Sequence, residues 1–361
     1  MGIVNHLKQT LNESNLALAN KGLNQATSIT ELLELFSELY NSENVNRLPL
    51  LFTDSDIVLT KTDLADIQTT TPKLFQPYIN RLCGLNFSSS LQIIVADTFV
   101  SFKKLKYVRL EPGIQHIGNS AFYNCTLLES INLPESLQNI GHSAFYNCSL
   151  KSVDLSKTLL TTILQYTFGL CRSLSSVNLP NSLTTIDKYA FHLCANLSSI
   201  NLPESLITIG ERAFTSSGLS SIDLSKTQLA LISSYAFSAC NSLTTVVLPN
   251  YLVAIDTGAF FKSTRLTSIN FLNTTLRSIG ADSFNGCTEL DNIELPESLI
   301  FIGARAFQGV KANVIYLNSI VPPELAATSV FNSGTTIVVP PGSGEAYRNA
   351  PNWSSYTIIE S

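Results

Sequence analysis

Charge is scarce in this chain. Only 14% of its 361 residues are Asp, Glu, Lys or Arg, the formal net charge is −5, and no run of Lys or Arg occurs. Soluble domains usually carry about 25% charged residues, so Ser, Thr and Asn must supply the solvated faces here. A phosphate-tracking groove and a polybasic membrane patch are excluded, and nucleic acid is not an expected partner. Long apolar runs are missing too: no stretch of about 18 apolar residues exists, so no membrane insertion is expected. The start, MGIVNHLKQT, lacks the charged and apolar regions of a secretory signal. Histidine is rare, and His6, His116, His142 and His192 share no spacing; Asp and Glu are scattered. Neither a catalytic base nor a ligand cluster emerges. The glycines of IGNS, IGHS and IGER have no phosphate-loop spacing. No enzyme, no cofactor and no metal are expected.

What the chain has in abundance is repetition. Phenylalanine recurs at 99, 122, 145, 168, 191, 214, 237 and 260 at intervals of 23, then at 284, 307 and 331 at intervals of 24, 23 and 24. Ala precedes most of these rings. A second pattern, L-x-x-[IV]-x-L, keeps the same phase, as in Leu128, Ile131, Leu133 and Leu174, Val177, Leu179. Its alternating end predicts a short half-buried strand, closed by Pro134, Pro180, Pro203, Pro249 or Pro296, none of which can donate to the next ladder position. A third pattern, S-L-x-x-I-G, supplies Ile117, Ile140, Ile186 and Ile209 for a return wall. One such unit cannot bury its apolar side alone, so copies must stack. The predicted fold class is an α/β-type solenoid, a right-handed superhelix with a parallel β-ribbon built from 23-residue repeats. About a dozen rungs spaced about 4.7 Å apart give a ribbon on the order of 55 Å long.

The irregularities follow the same logic. After Cys148 the arc is one residue short, and the next turn, LSKT, is one residue longer than the usual LPES, so phase returns at Phe168. The compensated pair recurs at Leu219 and the LSKT of 224–227. Rungs that must superpose require such compensation. Repeats are predicted over 82–331. Residues 332–361, with Trp353, are predicted to cap the last rung, and residues 1–81 form a helical N-terminal region and cap, with Ile3, Leu7 and Leu11 on one face and the capping box SITE before LLELFSELY.

Cysteine also keeps the phase. Cys125, Cys148, Cys171, Cys194, Cys240 and Cys287 each lie three residues after a phased Phe, and Ser217, Ser263 and Val310 fill the same slot elsewhere. A slot that takes Val reads as a small buried site, where free Cys behaves as a small hydrophobe. Cys83 stands outside the column and is the thiol to test for reactivity.

Function is then sought in outward columns. The strand column Arg109, Asn132, Asp154, Asn178, Asn201, Asp223, Val247, Asn270, Glu294 is short and polar; it reads as a hydrated sheet face, with a glycan or polar-peptide groove as the alternative. The column two residues before the Phe differs: Tyr166, Tyr189, Arg212, Tyr235, Arg305. Tyr and Arg dominate binding hot spots. With Tyr123 and Tyr146 just beyond their own Phe, these side chains are predicted to form a protein-contact flank; the alternative is that the rings only shield the arc.

The consensus LxxIxLPESLxxIGxxAFxxC and the tail VPPGSGEAYRNAPNWSSY resemble the BspA-like leucine-rich repeat family over residues 82–356. That resemblance implies a leucine-rich repeat superhelix. It also implies a non-enzymatic surface or secreted protein that binds a protein of the host matrix or cell surface, with no residue-level binding signature to carry over. The start, NHLKQTLNESNLALANKGLNQATSITELLELF, is loosely similar to N-terminal segments of phage-encoded structural proteins, which implies a virion component as the alternative.

Overall fold

The computed structural model describes residues 57–59, 84–87 and 91–361. The helix expected within residues 1–45 and the thiol of Cys83 lie outside the described residues. The chain winds into about twelve coils whose strands pair in parallel with the coil before and after. Each coil has a front strand, such as Ser130–Asn132, Ser152–Asp154 or Ser176–Asn178, and a two-residue return strand, such as Asn139–Ile140, Thr162–Ile163 or Thr185–Ile186. Alternation decides their faces. Val153 is buried between exposed Ser152 and Asp154, and stands opposite Val177 of the next coil; Ile163 stands opposite Ile186 in the return wall. One rung more precedes the repeats read from sequence: Ile57–Leu59 pairs in parallel with Gly84–Phe87. Its register partners Val58 and Asn86 lie 28 residues apart, so a 23-residue period does not detect it.

The rest of each coil is an arc of consecutive turns. Ser120, Phe122 and Asn124 donate their N–H groups to the carbonyls of His142, Ala144 and Tyr146 in the next coil, while Ala121, Tyr123 and Cys125 donate back three residues to Gly118, Ser120 and Phe122. The alternation gives the arc's buried backbone donors partners without a helix. It requires left-handed backbone two residues before and two after the Phe, as at Ser120 (φ 52) and Asn124 (φ 61), and the pair recurs through Arg305 and Gly309. Each non-glycine in this conformation costs about 1–2 kcal/mol, offset by the bonds between coils. It also corrects the α/β expectation: left-handed residues interrupt any helix, and the one α-helix among the described residues is Gly344–Asn349, in the cap.

The phased rings form the spine. Phe99, Phe122, Phe145, Phe168 and their successors to Phe331 are wholly or almost wholly buried and stack in one column, with centroids 5.2–5.6 Å apart and near-parallel planes. The irregular coils show what this column does. The front ladder lapses between Asn132 and Ser152, before Ser221, and between Ile269 and Ile293; the return ladder lapses after Ile140 and after Ile209. These are the short arcs, the LSKT turns and the first of the two 24-residue coils, between Phe260 and Phe284. The ring stack continues across every lapse, Phe145 to Phe168 at 5.6 Å included. The aromatic column and the arc's own backbone bonds, Phe145 N–H to Thr167 O included, therefore hold phase where the front and return ladders lapse.

At the C-terminal end Phe331 meets Trp353 (6.1 Å) and Tyr356 (5.2 Å, edge-on). The polar tips of the cap reach back into the last coil: Trp353 Nε1 donates to Pro323 O (2.9 Å), and the hydroxyl of Tyr347 donates to Ser319 O (2.8 Å). Buried Trp and Tyr need such partners. Strand Thr357–Glu360 closes the front sheet against Thr336–Val339.

Candidate functional site

The cysteine column is the repeat that carries thiols. All six phased thiols are buried and free. Each is more than a filler: Cys125 Sγ donates to Phe99 O (3.0 Å), Cys171 to Phe145 O (3.1 Å) and Cys240 to Phe214 O (3.1 Å), always to the phased Phe one coil earlier. Ser263 makes the same bond with its hydroxyl, to Phe237 O at 2.7 Å. The Phe99, Phe145 and Phe214 carbonyls already accept the N–H three residues on, and the slot supplies a second donor; at Phe237 the Cys240 N–H donates to Ser263 Oγ instead (3.2 Å). The sequence reading of the slot as merely small missed this role, although its exchange of Cys with Ser was the available signal. Burial pushes the thiols of Cys171 and Cys287 up to about 12 and that of Cys240 up to about 11. They are neutral near pH 7 and unsuited to nucleophilic chemistry. Among the described residues no group of three His, Cys, Asp or Glu is arranged to hold a metal, and no helix is long and apolar enough to cross a membrane.

The polar strand column is largely turned inward on itself. Asn132 pairs with the backbone of Leu110, its amide nitrogen donating to the carbonyl (2.7 Å) and its oxygen accepting the N–H (2.8 Å). Asn270 accepts Leu248 N–H (2.7 Å). Asp154 and Asp223 accept the N–H groups of Ser156 and Ser225, which with the serine hydroxyls hold both carboxyls below the usual range.

The tyrosine flank is the one outward feature whose large side chains engage each other. Tyr123 stacks on Tyr146 (5.1 Å), Tyr146 meets Tyr166 edge-on (5.7 Å), and Tyr166 stacks on Tyr189 (4.6 Å). Arg212 then donates from Nη1 to the hydroxyl of Tyr189 (2.7 Å) and lays its guanidinium over Tyr235, 4.6 Å from the centroid. Arg305 does not join. It pairs with Asp282 instead, three coils beyond Tyr235, through two charge-assisted bonds of 2.8 and 2.6 Å.

How the run stays continuous was not visible in either column alone. The run occupies the position after the Phe in two coils, changes to the position two before it for four coils (three rings and Arg212), and changes back at Phe261, which meets Tyr235 edge-on at 6.4 Å. Each change falls at a glycine. A Cβ on Gly169 would lie 3.0 Å from the Tyr146 ring and 3.3 Å from Tyr166. At Gly258 (φ +61) it would lie 2.3 Å from the Tyr235 ring. The missed residues are thus Gly169, Gly258 and Phe261; their signal is that where one column holds a ring the other holds a small residue in every ring-bearing coil of the run except that of Tyr189, which faces His192.

The flank residues share the left-handed conformation, with φ between 55 and 59 for Tyr166, Tyr189, Arg212, Tyr235 and Arg305. Since Ser120 and Ser143 share it too, the strain belongs to the coil and does not mark a site. The rings are half-buried, with both faces of the inner members occupied by neighbours, so edges and hydroxyls remain for a ligand. Burial pushes the Tyr146 and Tyr166 phenols up, which keeps them neutral hydrogen-bonding groups. Burial also lowers the pKa of His192, which packs edge-on against Tyr189 at 5.6 Å.

Stacked coils with a front strand, a return wall and a buried ring per turn define a leucine-rich repeat solenoid. The BspA type leucine-rich repeat region matches in six copies over residues 73–161, 161–275 and 259–337, and the chain belongs to that family. No curated protein matches the chain. Among solved structures, a leucine-rich repeat protein from Bacteroides ovatus is 21% identical with a TM-score of 0.50, the match covering 78% of this chain and 84% of that one. A leucine rich cell surface protein from Faecalibacterium prausnitzii is 23% identical with a TM-score of 0.45, covering 85% and 83%. The first of these likenesses shows the fold.

Proposed function

We propose that the chain is a non-enzymatic binding scaffold, displayed at a bacterial cell surface or secreted, and that the flank from Tyr123 to Tyr235 engages a protein of the host matrix or cell surface. The unbroken contact run along that flank carries the reading. Rings that already fix one another lose little further freedom when a partner docks, and that ordering cost is what separates a tight surface from a merely large one. Tyr and Arg are also the residue types on which interface energy concentrates. Family membership supports a scaffold role, since the inward columns are committed to stacking coils.

The experiment is a biosensor panel of purified matrix and host-surface proteins, with the wild-type chain and a variant carrying Tyr166→Ser, Tyr189→Ser and Tyr235→Ser. The variant loses binding and keeps its repeat circular-dichroism spectrum, because the substituted rings lie outside the Phe column. Binding equal to wild type removes the flank from consideration.

A further inference from the structure

The return strands place two side chains per coil toward solvent, and their character changes along the solenoid. In the early coils one such column reads Gln92, Gln115, Gln138, Thr161, Thr184, beside Ile93, His116, Asn139, Thr162 and Thr185, so that Ile93 is the one large apolar member of the pair there. From the next coil onward the face holds Ile207 (52% exposed), Leu231 (42%), Val253 (41%) and Ile300 (54%), followed by Ile320 (69%) and Val321 (67%) in the loop before Glu324–Leu325. The backbone does the same thing in both halves: Gln138 N–H donates to Gln115 O, as Ile207 does to Thr184 O and Ile300 to Arg277 O. Gln and Thr serve the coil in the first half, so the fold does not call for Ile or Val in the second. Exposed apolar side chains concentrated on one repeat face, here interrupted by Arg277 and Ser278, mark an interaction surface.

The charges within the stripe indicate what covers it. Arg277 and Ser278 lie one rung before Ile300 and Phe301, and Glu324 lies one rung after. Arg277 and Glu324 are exposed, and neither has an ion pair among the described residues. We propose that the C-terminal end of this stripe, around Ile300, is the interface of a homodimer, in which a second copy of the chain packs face to face about a two-fold axis running along the strands beside Ile300. Such an axis reverses the order of rungs. It brings Arg277 of each copy opposite Glu324 of the other, while Ile300 and Phe301 meet their own counterparts. An open hollow of about 760 Å³ between Glu297–Ile300 and Asn318–Pro322 lies beside the axis to receive the other copy's apolar side chains. An isologous contact of this kind uses Arg277 and Glu324 of each copy once. The surface is separate from the tyrosine flank, and the proposal does not depend on it.

The test is sedimentation velocity of the full chain, repeated with Ile300→Glu, Arg277→Glu, Glu324→Arg and the double reversal Arg277→Glu with Glu324→Arg. All are surface changes, and circular dichroism checks each fold. The wild type sediments as a dimer at micromolar concentration and Ile300→Glu as a monomer. Each single charge reversal weakens the dimer at least about tenfold, and the double reversal returns the dissociation constant to within about threefold of wild type. A wild type monomeric up to about 100 µM, a dimer that survives Ile300→Glu, or a double reversal that recovers nothing overturns the proposal. The first of these results would mean that a different partner covers the stripe.

Discussion

Replacing Phe214 by Ala tests whether the ring column is what holds the coils together. Phe214 is fully buried, with Phe191 and Phe237 stacked on its two sides at 5.4 Å and planes within 9°. Removing a buried ring costs about 3–5 kcal/mol where the surroundings cannot collapse. Collapse is resisted here, because the neighbouring rings are fixed in register by their own coils, so the upper half of that range is expected. Up to about 1 kcal/mol of it reflects each lost stacked contact. In a solenoid each coil touches only its neighbours, so the damage is local in origin and appears as a weak junction between two half-arrays. Two probes separate them in a denaturant titration. Far-ultraviolet circular dichroism sees all coils, whereas the chain's one tryptophan, Trp353, sits against Phe331 at the far end. The variant's circular-dichroism transition splits while the Trp353 emission midpoint moves less than the first phase. Phe261→Ala removes a half-buried ring outside the column and costs under about 1 kcal/mol. A Phe214→Ala loss equal to that of Phe261→Ala, or a single transition in which both probes move together, would refute the account of the column.

Two further outcomes follow from the site. The buried thiols of Cys148, Cys171, Cys194, Cys240 and Cys287 stay protonated in the fold beyond the pH at which a thiol in the unfolded chain ionises, ordinarily 9.0, with Cys171 held up to about 12. A folded pKa above the unfolded one gives stability that is complete below about 9 and lost as pH rises toward 12, so the melting temperature falls steeply across that window; replacing Cys171 and Cys194 by Ser, which keeps the donor to the Phe carbonyl, flattens the fall, and an unchanged alkaline profile counts against it. Gly258→Ala places a methyl against the Tyr235 ring in left-handed backbone and costs about 1–3 kcal/mol by thermal melting; adding Tyr235→Ala returns part of the loss, and strict additivity of the two changes would show that ring and glycine do not meet.

The inward columns were open to reading because each repeats one residue type at one spacing: Phe122, Ile140 and Cys125 recur in coil after coil, and burial follows from period alone. What escaped were features that live between columns or in the backbone. The left-handed residues flanking each Phe carry Ser, Tyr, Arg, Asp or Ala as well as Gly, so no residue type betrays them. They replace the helical part of the expected α/β repeat with turns. The crossing of the tyrosine run from one column to the other depends on Gly169 and Gly258, which look unremarkable in their own columns. The donor role of Cys125 and its kin needed the position of a carbonyl one coil away. Arg305 shares the column of the flank, but Asp282 is within reach one coil earlier and takes its guanidinium, a pairing the column spacing does not show.

The separation between inward and outward columns bears on where function can reside. Phe, Ile and the Cys or Ser slot are fixed by stacking, so a change at any of them is felt through neighbouring coils, and selection for binding has little freedom there. Outward columns carry no such constraint, as the replacement of Gln138 by Ile207 in equivalent backbone shows. The two outward surfaces that depart from the polar Ser, Thr and Asn background do so over different stretches. Aromatic and cationic residues run along the arc from Tyr123 to Phe261, and apolar residues run along the return face from Ile207 to Val321. A homodimer through the second would leave the first uncovered on both copies, since the arc and the return face are different walls of the coil. Two flanks joined in one rigid body raise the effective concentration of the second contact once the first is made. Modest contacts built from ring edges and hydroxyls can then hold on a surface that presents many copies of one partner.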